Sequence, residues 1–242
     1  MEDATERLYP DVKEAGSLAA LLEAELAIER ERAGPPHIGR VRPSHQTSAI
    51  IEEGHRTVSV SLAELERLFL VGFRDKGVQV AGLVTPNSVL LCQVILGFLA
   101  AEIRLNELAR RFPEFELTPE AEPHEAGAEA EVADQWQAIM EVIKMITPEL
   151  LPLAVDLSTR WPFKHLFPVM STSILGFSQC TGYPYSRDCP SVYCKAPGCF
   201  VVQSFDGRVL GKGDQKRAIE LLLSALPPDC GHATQGAAGQ LV

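Results

Sequence analysis

The spacing of apolar and polar positions divides the chain into two stretches that mix helices with strands. From Ser17 to Arg32, Leu18, Leu21, Leu22, Leu26 and Ile28 recur at helical intervals behind a Ser17 cap, which predicts an amphipathic helix ended by Gly34–Pro36. Arg40–Ile51 is polar and has room for one short strand. Val58, Val60 and Leu62 then alternate with Thr57, Ser59 and Ser61, the mark of a half-buried strand over Arg56–Leu62. Arg67–Phe73 is continuously apolar and predicts a central strand; Gly77–Val84 alternates again after a tight turn at Arg74–Gly77. These three form an antiparallel meander. Asn87 or Ser88 caps a helix that runs to Arg104 and is apolar nearly all round, so it is expected to lie buried against the meander. A second helix, Leu105–Phe112, stops at Pro113.

The segment from Glu114 to Glu131 breaks this pattern. It holds seven glutamates, two prolines and no lysine or arginine, which predicts a solvated acidic linker in which His124 has no special place. Helical spacing returns over Val132–Ile146, with Trp136, Ile139, Met140 and Ile143 on one side. Thr147 and Pro148 open a further helix, and Ser158–Pro168 is a proline-broken connection. Strands follow at Ser171–Gln179, Ser191–Ala196 and Cys199–Phe205. Asp214 caps a final helix over Gln215–Leu226 whose Ile219, Leu222 and Leu223 face inward, and the small, polar tail after Cys230 is expected to fray. The fold class that emerges is α+β: residues 1–113 and 132–242 each form an antiparallel sheet packed with helices, joined by the 114–131 linker.

Composition narrows the functions open to such a fold. The net charge of −10 and the lack of any basic tract longer than a pair argue against a nucleic-acid or anionic-membrane partner. The longest apolar run, Val89–Ile103, falls short of a bilayer span, and the charged N-terminus has no apolar signal core, so a cytoplasmic protein is expected. No nucleophile elbow, P-loop, dinucleotide fingerprint or H-E-x-x-H motif is present.

Chemistry concentrates in one stretch. Cys180, Cys189, Cys194 and Cys199 are spaced C-x8-C-x4-C-x4-C, wider than the paired knuckles of structural zinc sites. A turn at Ala196–Cys199 would set Ala196 opposite Cys199 and Cys194 opposite Val201, leaving Cys194 and Cys199 as diagonal neighbours on one face. A four-thiolate zinc site, a disulfide among these residues, and free thiols with Cys180 the most reactive all stay open; the cofactor is none, or zinc. Beside Cys180, Tyr183, Tyr185 and Arg187 occupy alternate positions of an extended segment, and tyrosine and arginine dominate binding hot spots. They are expected to line one concave surface with residues from Trp161–Phe167, Trp161 and Phe163 among them.

The blocks "LYPDVKEAGSLAALLEAE", "ERLFLVGFRDKGVQVA", "LARRFPEF" and above all "LFPVMSTSILGFSQCTGYPY" resemble an actinobacterial natural-product biosynthesis family of unknown function. The resemblance covers both halves and skips the acidic segment. Of the four clustered cysteines only Cys180 matches the family's pattern. The resemblance implies a context, gene clusters that make specialised metabolites, ribosomally made peptides included, and no reaction. Together with the two strand-rich α+β halves and the missing catalytic motifs, it leads to the expectation of an accessory protein of such a pathway, with a pathway enzyme or a precursor peptide as partner. A peptide-tailoring enzyme, such as a cyclase with thiolate-bound zinc, is the alternative.

Overall fold

A computed structural model describes residues 7–33, 41–100 and 103–239, which form two compact units, Met1–Ala121 and Glu122–Val242. The chain is α+β. The Gly34–Pro36 break lies outside the described residues.

The first unit is a six-stranded antiparallel meander in sequence order: β1 (Val41–His45), β2 (Ser48–Glu53), β3 (Arg56–Leu62), β4 (Phe69–Asp75), β5 (Val78–Thr85) and β6 (Glu116–Leu117). The polar stretch expected to hold one strand folds into the β1–β2 hairpin, since Ala49 and Ile51 are apolar at period two and face the core. The β4–β5 turn rests on Lys76 and Gly77, both at positive φ, 49° and 83°, as a two-residue hairpin turn requires. Although Phe69–Phe73 of β4 is apolar throughout, only Phe69, Val71 and Phe73 of that run are buried in the core, and Leu70 is exposed on the open face. A bulge between Phe73 and Arg74 in the β4–β5 pairing lets the successive residues Val80 and Ala81 both reach the interior.

Helices α1 (Pro10–Ala15), α2 (Leu18–Ala33), α3 (Ser88–Leu99) and α4 (Leu105–Arg111) complete this unit. Ser17 Oγ accepts from the Ala20 N–H at 3.1 Å, and Asn87 Oδ1 caps α3 through the Val89 and Leu90 N–H groups. Helix α3 packs on β3, β4 and β5 with one side and on α2 with another, which explains why it is apolar nearly all round. It ends at Leu99, short of the expected Arg104, where the buried Arg56 guanidinium donates to the Phe98 and Ala100 carbonyls. The α2–α3 contact keeps a polar seam: Ser88 Oγ donates to Glu25 Oε1 at 2.9 Å, Cys92 Sγ donates to Glu25 Oε2 at 3.7 Å and Gln93 donates to Glu29 at 3.3 Å. Burial, then the neighbouring Glu25 carboxylate, pushes the Cys92 thiol far up, so it stays protonated as a core residue.

Tyr9 ties the chain start to the β3–β4 loop. It is fully buried; its hydroxyl lies 2.9–3.0 Å from the carbonyls of Ala63, Glu66 and Leu68 and accepts from the Leu68 N–H. Arg67 stacks near the rings of Tyr9 and Phe69 and holds Asp11 through two bonds of 2.8 and 2.6 Å.

The acidic segment is not an open linker. Phe115 is buried beside Phe73, ring centroids 4.9 Å apart, and β6 pairs with β5. Thr118 bonds to the Gln79 and Val80 carbonyls. Helix α5 (Ala121–Ala126) follows and carries the boundary between the units. Helix α6 (Ala128–Ile146) starts within the segment, because alanine and glutamate are good helix formers and Glu129 and Glu131 suit a first turn.

The second unit holds a five-stranded antiparallel sheet of order β12–β11–β10–β8–β7, built from β7 (Phe167–Ser171), β8 (Ile174–Ser178), β10 (Ser191–Ala196), β11 (Cys199–Gln203) and β12 (Val209–Gly213). The strand expected over Ser171–Gln179 is β8, shorter at its start; an additional strand, β7, precedes it, and the two form a hairpin turning at Thr172, φ 57°, in which Pro168 is tolerated because β7 is an edge. Helices α6, α7 (Leu151–Thr159) and α8 (Gln215–Ala225) cover one face, around Trp136, Ile143, Leu175, Val192 and Val202. Thr147 makes no side-chain cap, and a 3₁₀ turn over Pro148–Leu150 leads into α7. Asp214 caps α8 through the Arg217 N–H; Ala218, Ile219 and Leu222 face inward, but Leu223 is exposed. The described part of the tail, to residue 239, is structured where fraying is expected: β13 (Thr234–Ala237) pairs in parallel with β9 (Cys180–Gly182), a strand too short and too rich in small residues to read from pattern. Among the described residues no helix is long and apolar enough to cross a membrane.

Two outcomes are expected. Tyr9→Phe leaves the part-buried Leu68 N–H without its hydroxyl acceptor and lowers unfolding free energy by about 1–3 kcal/mol in urea titrations of the full chain. An unchanged midpoint would remove the anchoring role. Arg67, chiefly through its hydrogen bonds to Asp11, holds that carboxyl below its ordinary 3.8. The stabilisation is therefore complete above the unfolded-state value and is lost as pH falls through the lower folded one. Asp11→Asn is expected to be less stable than wild type near neutrality, and the two curves should converge on acidification below about pH 4. Parallel curves would contradict it.

Candidate functional site

On the face of the five-stranded sheet turned away from its helices, cross-strand neighbours Val169, Gly176 and Ser191 form one row and Ser171 and Ile174 the next. Gly176 leaves that floor low. A Cβ there would meet Ser191 Cβ at 3.7 Å and the Val169 carbonyl at 3.9 Å, ordinary contacts, so a side chain would fit and would fill the space above. The loop from Tyr183 to Cys189 arches over this floor and encloses, with Phe205, a cavity of about 290 Å³. Tyr183 and Tyr185 meet edge to face at 5.8 Å, Phe167 stacks on Tyr185 at 5.6 Å, and the Arg187 guanidinium sits 5.8 Å from the Phe205 ring. Burial raises the Tyr185 phenol, keeping it neutral. Among the described residues no carboxylate pairs with Arg187.

The loop is held from below by Ser178, which is fully buried. Its hydroxyl accepts from the Cys180 N–H at 3.0 Å and the Ser186 N–H at 3.1 Å and donates to the Cys180 carbonyl at 2.6 Å. Ser186 Oγ accepts from the Gln179 N–H and donates to Asp188, and the Gln179 amide also reaches Asp188, at 2.5 Å. Burial pushes the Asp188 carboxyl up, but hydrogen bonds from Ser186, Gln179 and Cys189 outweigh it and hold the group below the usual range. Just after β13, the Ala238 N–H donates to the Pro184 carbonyl at 2.7 Å.

Of the five residues expected on one surface, three meet here: Tyr183, Tyr185 and Arg187. Trp161 and Phe163 do not line this cavity. Phe163 is fully buried against Phe177, and Trp161 lies against His165 and His232. The reason is the 3₁₀ turn at Phe163–His165, which turns Phe163 into the core beneath α6 and α7.

The four clustered cysteines are not brought together. Cys180 is buried with its thiol 3.3 Å from Ser178 Oγ. Cys189 is buried too, and its sulfur lies 3.9 Å from that of Cys230, which the cysteine spacing left out of account. Cys194 stands opposite Phe200, not Val201, because Lys195 is an extra residue bulged out of the hairpin; Cys199 stands opposite Ala196 as the turn requires. Among the described residues no three His, Cys, Asp or Glu side chains gather closely enough to hold a metal ion.

Sequence reasoning passed over a second buried polar group. His124 Nδ1 and Glu131 Oε1 make a short contact, and Gln235 of β13 donates to the His124 carbonyl at 2.6 Å and to Glu131 at 3.1 Å. The acidic composition around His124 masked it.

The second unit is thus an α+β domain with an aromatic, loop-roofed pocket on the open face of its sheet. Residues 130–237, which include every residue of that pocket, match the model of a family described only as of unknown function (DUF6193). Neither the curated proteins nor the solved structures give a significant match to the chain.

Ser178→Ala is expected to lower unfolding free energy by roughly 2–3 kcal/mol, since it removes the hydroxyl that accepts from the Cys180 and Ser186 amides. Amide exchange should accelerate at Cys180 and Ser186. Stability and exchange both equal to wild type would show that the hydroxyl does not hold the loop.

Proposed function

We propose that the protein binds a peptide segment in this pocket, as an accessory component of a peptide natural-product pathway whose precursor peptide or partner enzyme supplies the segment. The observation that carries the binding reading is the cavity over Gly176, lined by an exposed arginine that no carboxylate among the described residues pairs. An aromatic or branched aliphatic side chain matches its volume and its Tyr183, Tyr185 and Phe205 walls, and the phenols and serine hydroxyls offer a few polar contacts. Among the described residues Arg187 has no carboxylate partner, so an acidic side chain or C-terminal carboxylate next to the apolar residue would complete the charge. The other cavities near this size offer less. One of about 400 Å³ on the first unit's sheet is walled by Leu70, Val84 and the paired Gly72 and Gly82, with Glu114 and Glu116 at its edge and no aromatic ring. The pathway assignment is supported by the likeness of the "LFP…FSQCTGYPY" block, whose residues form the floor and roof of the pocket.

A random peptide library displayed on phage and panned against the full chain tests the binding. Enriched peptides should share an apolar residue beside an acidic group. Gly176→Val, which fills the floor, should weaken them at least tenfold, and Arg187→Ala roughly tenfold, the equivalent of one lost charge-assisted hydrogen bond. Enrichment of nothing, or of peptides that bind Gly176→Val as well as wild type, would sink the reading. Affinity capture of polypeptides encoded beside the gene then tests the pathway assignment.

A further inference from the structure

Cys189 and Cys230 are 41 residues apart in sequence, yet their sulfurs lie 3.9 Å apart. Each sits on a segment that builds the pocket. Cys189 closes the loop that begins at Tyr183 and lines the cavity itself. Cys230 follows α8 in a turn held by its N–H to the Pro227 carbonyl and leads into β13, which pairs with β9; Ala238, next after β13, donates to the Pro184 carbonyl. A disulfide needs the sulfurs about 2 Å apart, so the side chains must move closer by roughly that distance again for the bond to form. The other thiols are placed differently. Cys92 and Cys180 are buried on carboxylate and hydroxyl partners, and Cys194 points at the Ala196 carbonyl, 3.1 Å away.

We infer that Cys189 and Cys230 form a redox-active dithiol that closes to a disulfide by exchange with a low-molecular-weight disulfide, fastening the C-terminal segment to the pocket loop. The two thiols are unlike. Cys230 is half-buried, and the hydrogen bond from Cys189 lowers its thiol; the same bond, then burial and the Cys230 and Asp188 charges, holds Cys189 protonated. Cys230 is therefore the attacking thiolate. It displaces one thiolate from the incoming disulfide and forms a mixed disulfide. Cys189 then gives up its proton, attacks the Cys230 sulfur and expels the second thiolate. The protein loses two hydrogens, and the small disulfide is reduced to two thiols. Oxidation and its map do not depend on what the pocket binds; only the effect on peptide affinity rests on the reading above.

The test incubates the native full chain in oxidised and reduced glutathione at a series of ratios, alkylates the free thiols and maps cross-links by mass spectrometry. A Cys189–Cys230 link that forms at oxidising ratios and reopens in dithiothreitol is expected. It should come with a rise in melting temperature on the order of 10 °C, since the closed loop restricts the unfolded chain. Cys230→Ser, at the less buried position, should abolish both the link and the rise; it serves even if Cys189→Ser fails to fold. A link mapped elsewhere, such as Cys194–Cys199, or no link at any ratio, would overturn the inference. Selected peptides are then titrated against both redox forms. A mapped link with no peptide bound by either form would remove the pocket reading and leave the dithiol standing.

Discussion

The hydroxyl of Ser178 sets where the pocket roof sits. It stands at the end of β8, fully buried, and takes up the N–H groups of Cys180 and Ser186 while bonding to the Cys180 carbonyl. A buried amide without an acceptor costs about 1–3 kcal/mol, so the chain leaving β8 turns back on itself to satisfy these groups. That turn starts β9, directs Tyr183 and Tyr185 over the sheet and places Asp188 where Gln179 and Ser186 can hold it. The pocket is a consequence of local backbone satisfaction, not of a separate binding module.

The same economy organises the first unit. One buried phenol, Tyr9, gathers three loop carbonyls and one N–H, and the Arg67–Asp11 pair closes over it. The loop between β3 and β4 has no regular hydrogen-bonded partner strand, so a side chain must take up its polar groups. Its carboxylate-lined α2–α3 seam works in a related way, with Ser88, Cys92 and Gln93 donating to Glu25 and Glu29 so that acidic groups can face a packed helix.

The two C-terminal strands join these themes. The β9–β13 pairing brings a late segment beside the pocket loop, and with it Gln235 to the His124–Glu131 contact and Cys230 to Cys189. A single parallel pairing thus determines which distant polar and sulfur groups meet.

Period-two alternation determined the meander strand Arg56–Leu62, and the Asn87 and Asp214 caps determined two helix starts, because those signals are local: side-chain direction and an unpaired first turn depend only on neighbours in sequence. The tyrosine–arginine alternation likewise pointed to residues that share the cavity. Glutamate richness misread 114–131, since composition carries no record of Phe115 burying itself or of β5 offering an unpaired edge. The bulge at Lys195 and the turn at Phe163 redirected Cys194 and Phe163, and one extra residue in a strand or one tight turn leaves little trace in the pattern. Cys230 lay far from the cysteine cluster in sequence. Only the fold's long-range pairing could place it against Cys189, because contact between segments 41 residues apart is decided by which sheet edge is free to receive the returning chain.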